Sequence, residues 1–149
     1  MENLERFLRE HPLLRGLPAE HIASLVGCVA NRRFEPGDFL LFEGQQDGQI
    51  FLIREGTVAI ESASPGGPPA TIETVGPGDV LGVSWLTPAR EHFDCRARER
   101  VVALVIDQSC LRAKMEGDPR LGYALASRLL QLTYERLSRL RLQRMDLYR

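Results

Sequence analysis

A chain of 149 residues, 44% hydrophobic and 26% charged, has the length and composition of one domain with an ordinary core. Its net charge of −1 supplies no general attraction to nucleic acid or to an anionic membrane surface. The charged N-terminus has no apolar signal region, and no apolar run approaches the roughly 18 residues of a membrane span, so neither a leader nor a membrane segment is expected.

Residues 3 to 10 read as a short helix with Leu4, Phe7 and Leu8 on one face, stopped at His11-Pro12. After the connector Leu13 to Leu17, the spacing of Ile22, Leu25 and Val26 predicts a second helix from Pro18 to about Ala30. From Arg33 the period changes. Phe34 to Gly44 reads as strand, Pro-Gly-Asp turn and strand, and Gln45 to Gln49 as a turn carrying Asp47-Gly48. Ile50 to Ile53, Thr57 to Glu61 and Ala70 to Val75 are strands, with a loose loop from Ser62 to Pro69. Val101 to Ile106 is a continuous apolar run, the pattern of a buried strand. Short strands at regular spacing with turn signals between them predict a sandwich or barrel. Asp107 is placed to cap a short helix to about Met115, and Asp118 with Pro119 to start a long one toward Arg149. The first half of that helix is apolar on a wide face at Leu121, Leu125, Leu129, Leu130 and Leu132. The second half narrows to Leu130, Thr133, Leu137, Leu140 and Leu147, a seam that predicts a partner helix. Cys28, Cys95 and Cys110 are widely spaced, odd in number and without a C-x-x-C pair. That pattern argues for reduced thiols in a cytoplasmic protein, against disulfides, zinc or an iron–sulfur cluster.

The chain is organised around Gly76 to Ala97. This stretch reads as a Gly-Pro-Gly-Asp turn, a short apolar helix about Gly82 and Ser84, a Thr-Pro-Ala-Arg loop, and entry into a strand at Phe93, Cys95 and Ala97. Such an arrangement can offer backbone N–H groups and an arginine to an anion. F-x-x-x-H-P-L-L-x-G-L over Phe7 to Leu17 is followed by Pro36-Gly37-Asp38, Glu43-Gly44, Asp47, Phe51-Leu52-Ile53, Gly56 and Val58. With Gly76-x-Gly78-Asp79-x-x-Gly82, this order resembles the cyclic-nucleotide-binding domain of the catabolite activator protein/FNR superfamily, over nearly the whole chain. The resemblance implies a mainly β fold with flanking helices. Its parts are N-terminal helices (1–30), an eight-stranded jelly-roll β-roll (31–106), and C-terminal helices (107–149), the last of them a dimerisation helix.

It also implies that the central stretch is a phosphate-binding cassette. In the family a glutamate takes the ribose 2′-hydroxyl and an arginine the cyclic phosphate. Val83 stands at the glutamate position and Glu91 at the arginine position, with Arg90 adjacent. Gly82, Val83, Ser84, Trp85, Arg90, His92, Arg96 and Arg136 are the candidate ligand-binding residues. Each also has a plain reading: Trp85 a stacking wall or a core filler, Arg90 an anion ligand or a solvated loop residue, His92 a loop histidine. Arg96 points to solvent or into the pocket, Arg136 lies on a solvated helix face or faces the pocket, and Ser84 donates to an anion or only packs. Glu91 is assumed to turn outward. The expected occupant is a cyclic nucleotide or other small anion, with weak affinity for cyclic AMP. A cupin-like enzyme would need clustered metal ligands, whereas His11, His21 and His92 are scattered, so no catalytic activity and no metal are expected. The expectation is a small-molecule sensor, homodimeric through the long helix and acting on a regulatory protein partner. A scaffold that binds nothing is the alternative. No residues follow the long helix to form a DNA recognition helix, so direct DNA binding by this chain is not expected.

Overall fold

The computed structural model describes residues 3–45, 48–86 and 91–147, with the side chains of 85 and 86 excepted. The expected turn at Asp47 and the 87–90 loop lie outside the described residues. Helices α1 (Leu4–Glu10) and α2 (Ala19–Leu25) precede strands β1 (Val29–Phe34), β2 (Phe39–Leu41), β3 (Gln49–Glu55), β4 (Val58–Ser62) and β5 (Ala70–Val75). Then come β6 (Val80–Leu81), a 3₁₀ turn (Val83–Leu86), β7 (Asp94–Ala97), β8 (Val101–Asp107), α3 (Gln108–Gly117) and α4 (Pro119–Asp146). Two four-stranded antiparallel sheets, ordered β1-β8-β3-β6 and β2-β7-β4-β5, form the expected β-roll.

Continuous apolar strands occur where both faces of a sheet are covered. In β8, Val101, Ala103 and Val105 face the second sheet, while Leu104 and Ile106 face the helices. β3 divides in the same way, with Phe51 and Ile53 inside the roll and Ile50 and Leu52 under the helices. Leu8, Leu14, Ile22, Leu25, Leu121 and Leu125 complete that second core. Caps set the helix starts. Asp107 accepts from Cys110 N (2.8 Å), and Asp118 accepts from Arg120 N and Leu121 N (3.2 and 3.4 Å). Two Pro-Gly-Asp turns use one device: Asp38 accepts from Glu35 N (2.8 Å) and Asp79 from Gly76 N (2.9 Å).

Two expectations are corrected. The second helix stops at Leu25, five residues early, because Val26–Cys28 tightens to 3₁₀ and Val29 and Ala30 are taken up by pairing with β8. The cysteines are not all free, since Cys28 and Cys110 form a disulfide, with Cα atoms 5.6 Å apart. The topology explains it. Val29 pairs with Ile106, so the residue before β1 and the residues after β8 emerge at the same end of one sheet. Eighty-two positions of sequence separation conceal that proximity. Cys95 is the free cysteine among the described residues, and it is buried. Also among the described residues, no helix is long and apolar enough to cross a membrane.

Candidate functional site

Between the mouth of the roll and α4 lies a cavity of about 320 Å³. Its apolar wall comes from Leu41, Ile60, Val80, Leu81, Val83 and Phe93, on strands, the 3₁₀ turn and the approach to β7. Gly82, Ser84, Glu91, His92, Cys95 and Arg136 also line it among the described residues. Of the candidate residues, the structure therefore brings Gly82, Val83, Ser84, His92 and Arg136 together. Arg90 and the Trp85 side chain lie outside the described residues. Arg96 is elsewhere. Cys95 and Ala97 face the core of the roll, so Arg96 stands on the opposite face of β7. There it pairs with Glu61 (2.9 Å) and lies over the Phe39 ring.

Glu91 does not turn outward. Its carbonyl accepts from Gly44 N (2.7 Å) and its N–H donates to Gln45 O (3.1 Å), which fixes the backbone on both sides. The carboxylate lines the cavity and accepts from Ser84 Oγ at 2.5 Å. Ser84 thus holds an internal carboxylate. Arg136, on α4, makes a forked pair with Glu73 of β5: Nε to Oε1 at 2.8 Å and Nη2 to Oε2 at 3.0 Å. Its Nη1 donates to Val80 O at 3.2 Å. One turn on, Arg139 pairs with Asp79 at 3.0 Å. Both contacts fasten the second half of α4 to the roll. Burial pushes the Cys95 thiol up to about 12, with the Glu91 charge adding to it, so it lines the wall as a protonated, weakly polar group.

Gly82 has a different reason from the one its motif suggests. Its φ is +88°, and a Cβ there would sit 2.2 Å from Gln49 O, so the glycine serves the close approach of the cassette to β3. Sequence reasoning missed Glu73 and Cys95 as lining or clamp residues. Strand period held the signal, because Glu73 shares a face with Val75, which is buried inside the roll. Among the described residues, no group of three or more His, Cys, Asp and Glu is placed to hold a metal.

A jelly-roll sheet pair, a glycine-bearing cassette at its mouth and a long helix across it are the architecture of a cyclic-nucleotide-binding-type β-roll domain. The chain matches the cyclic nucleotide-binding domain family over residues 31–118, and it belongs to that family. Among solved structures it resembles a cyclic nucleotide-binding-type protein of Geobacter metallireducens. That likeness has a TM-score of 0.80 and 25% identity, over 92% of this chain and 99% of that one. The Thermus thermophilus catabolite activator protein shares the fold, with a TM-score of 0.68 and 24% identity, over 92% of this chain and 62% of that one. By sequence the chain is 27% identical to human cGMP-dependent protein kinase 2 over 110 residues, which is 72% of this chain and 14% of the kinase. The chain thus corresponds to a small part of that enzyme's length.

Proposed function

We propose that this chain is a small-molecule-sensing regulatory domain of the cyclic-nucleotide-binding type, with its ligand in the cavity at the mouth of the roll and α4 as the signalling element. One observation carries the reading: Arg136 belongs both to the cavity lining and to the clamp on Glu73 that holds α4. A ligand that touches Arg136 changes what holds the helix, and a helix that moves changes the cavity. The output is a change in how α4 meets a second copy of the chain or a regulatory protein partner. Readout of DNA by this chain is not part of the proposal.

Among the described residues, an anionic occupant gains less from the site than the candidate arginines promised. Arg96 faces away, and the Arg136 guanidinium is paired. The test is hydrogen exchange of the full chain with and without a panel of cyclic nucleotides, nucleosides and phosphates. Binding of a panel member should change exchange in residues 133–146. Binding that leaves α4 untouched would remove the signalling role. A second reading, a scaffold that binds nothing, is favoured by the mutual satisfaction of Ser84 with Glu91 and of Arg136 with Glu73. It predicts no thermal shift with any panel member.

A further inference from the structure

Resting on the sensory reading of this cavity, we infer that its ligand is an uncharged, hydrogen-bond-donating molecule of nucleoside type, with a planar or apolar body and a hydroxyl- or amino-bearing head, and not a phosphate.

The charges that the described residues present to the cavity carry this. Glu91 lines the cavity with its carboxylate, on a backbone held by the bonds to Gly44 and Gln45 and with the side chain held by Ser84. Ser84 Oγ occupies one acceptor position, on Oε1. An ionised carboxylate has about four such positions and no donor, so what it accepts from an occupant is an O–H or N–H. A phosphate would bring like charge into contact in a partly desolvated site, where repulsion is screened less than in water.

The guanidinium on the other side does not offset it. Arg136 directs Nε and Nη2 to Glu73 and Nη1 to Val80 O. The Arg136–Glu73 pair is neutral as a unit. Diverting Arg136 to an incoming anion would leave the Glu73 carboxylate, whose side chain is only 11% exposed, without its partner. Among the described lining residues the charge left over is that of Glu91. The rest of the wall suits an apolar or planar body, with Ile60 and Leu81 from the roll and Phe93 beside the acidic end. A space of about 320 Å³ is at the small end of ligand pockets, the size range of a nucleoside.

Isothermal titration of the full chain at physiological salt with adenosine, guanosine, cyclic AMP and cyclic GMP tests the inference. At least one nucleoside is expected to bind tenfold or more tightly than its own cyclic phosphate. Glu91→Gln, which keeps an oxygen for Ser84 but removes the charge, should narrow that ratio at least tenfold by improving the cyclic phosphate. A wild-type chain that prefers the cyclic phosphate overturns the inference and leaves the sensory reading in place. An unchanged ratio in a Glu91→Gln variant with a wild-type melting curve overturns it in the same way. Silence from all four compounds overturns the sensory reading together with the inference. The wild-type ratio decides by itself if the variant fails to fold.

Discussion

Two residues show how closely this roll depends on side-chain size and charge. Gly56 turns the chain between β3 and β4 at a φ of +85°, and a Cβ there would lie 2.2 Å from the Arg100 carbonyl oxygen. Gly37 has a similar φ of +91° with open space around it. Alanine at Gly37 should therefore cost only the strain of a left-handed backbone, on the order of 1 kcal/mol, while alanine at Gly56 adds a steric conflict and should cost about 3 kcal/mol or more. Denaturant midpoints of the two variants check the difference, and equal losses would refute it. His11, the residue that ends α1, is 4% exposed, with Leu13 N donating to its Nδ1 at 3.2 Å. Burial lowers its pKa to about 4, outweighing the Ile53 and Asp79 backbone groups and the Asp79 charge, which pull the other way. The unfolded chain, titrating near 6.5, then binds the proton more readily than the fold does. The neutral histidine's contribution is complete above about pH 6.5 and fades as pH falls toward about 4, a total of about 3 kcal/mol. Urea unfolding at pH 7 and about pH 4.5 should show wild type losing more stability on acidification than His11→Gln. Parallel losses would show that His11 is not the group responsible.

At the scale of elements, α4 is held in two different ways along its length. Leu121, Leu125 and Leu129 bury it in the core beneath the helices, while Arg136 and Arg139 fasten the following turns to Glu73 and Asp79. The forked Arg136–Glu73 pair is largely shielded, with side chains 24% and 11% exposed, so breaking it should cost more than a surface pair, about 2 kcal/mol. Glu73→Gln should speed amide exchange across 133–146 and leave 121–129 protected. Uniform loosening of the whole helix would show that the clamp is not a local device. Much of this architecture could be read beforehand, because its signals are local. Asp107 and Asp118 mark helix starts, Pro-Gly-Asp marks two turns, and the unbroken run in β8 marks a strand covered on both faces. The cavity was legible only in part. Glu91 looked free to turn outward because nothing in the sequence shows that Gly44 and Gln45 bond its backbone across the mouth. The Cys28–Cys110 bond was hidden for a related reason, since it follows from the β1–β8 register and not from any spacing between cysteines.

For the whole molecule, the disulfide and α4 set the limits of what one copy can bury. The cross-link ties the end of the N-terminal helical segment to α3 across 82 positions, and a native disulfide typically contributes about 2–4 kcal/mol by restricting the unfolded chain. Both segments are thereby secured to the same end of one sheet, and α4 projects from there over about 42 Å. At about 100° per residue, Tyr123, Leu130 and Leu137 fall on the side of α4 opposite Leu121, Leu125 and Leu132. They remain 78%, 71% and 40% exposed. The expected seam thus divides. Leu137 and Leu140 both lie with Leu132 in the groove against Asp79 and Val80, Leu137 at its rim and still 40% exposed, whereas Leu130 faces away. We propose that a second copy of α4 covers the outward face, with Tyr123, Leu130 and Leu137 repeating every seven residues at the crossing. Tyr123→Glu combined with Leu130→Glu, at the two most exposed positions of that face, should convert a dimer to a folded monomer in sedimentation velocity at micromolar concentrations, with its melting curve otherwise retained. Leu140→Glu should instead loosen α4 from its own roll and speed exchange across 133–146, since that side chain faces inward. A wild-type chain that sediments as a monomer would leave the outward leucines without a second copy to cover them and would end the dimer proposal.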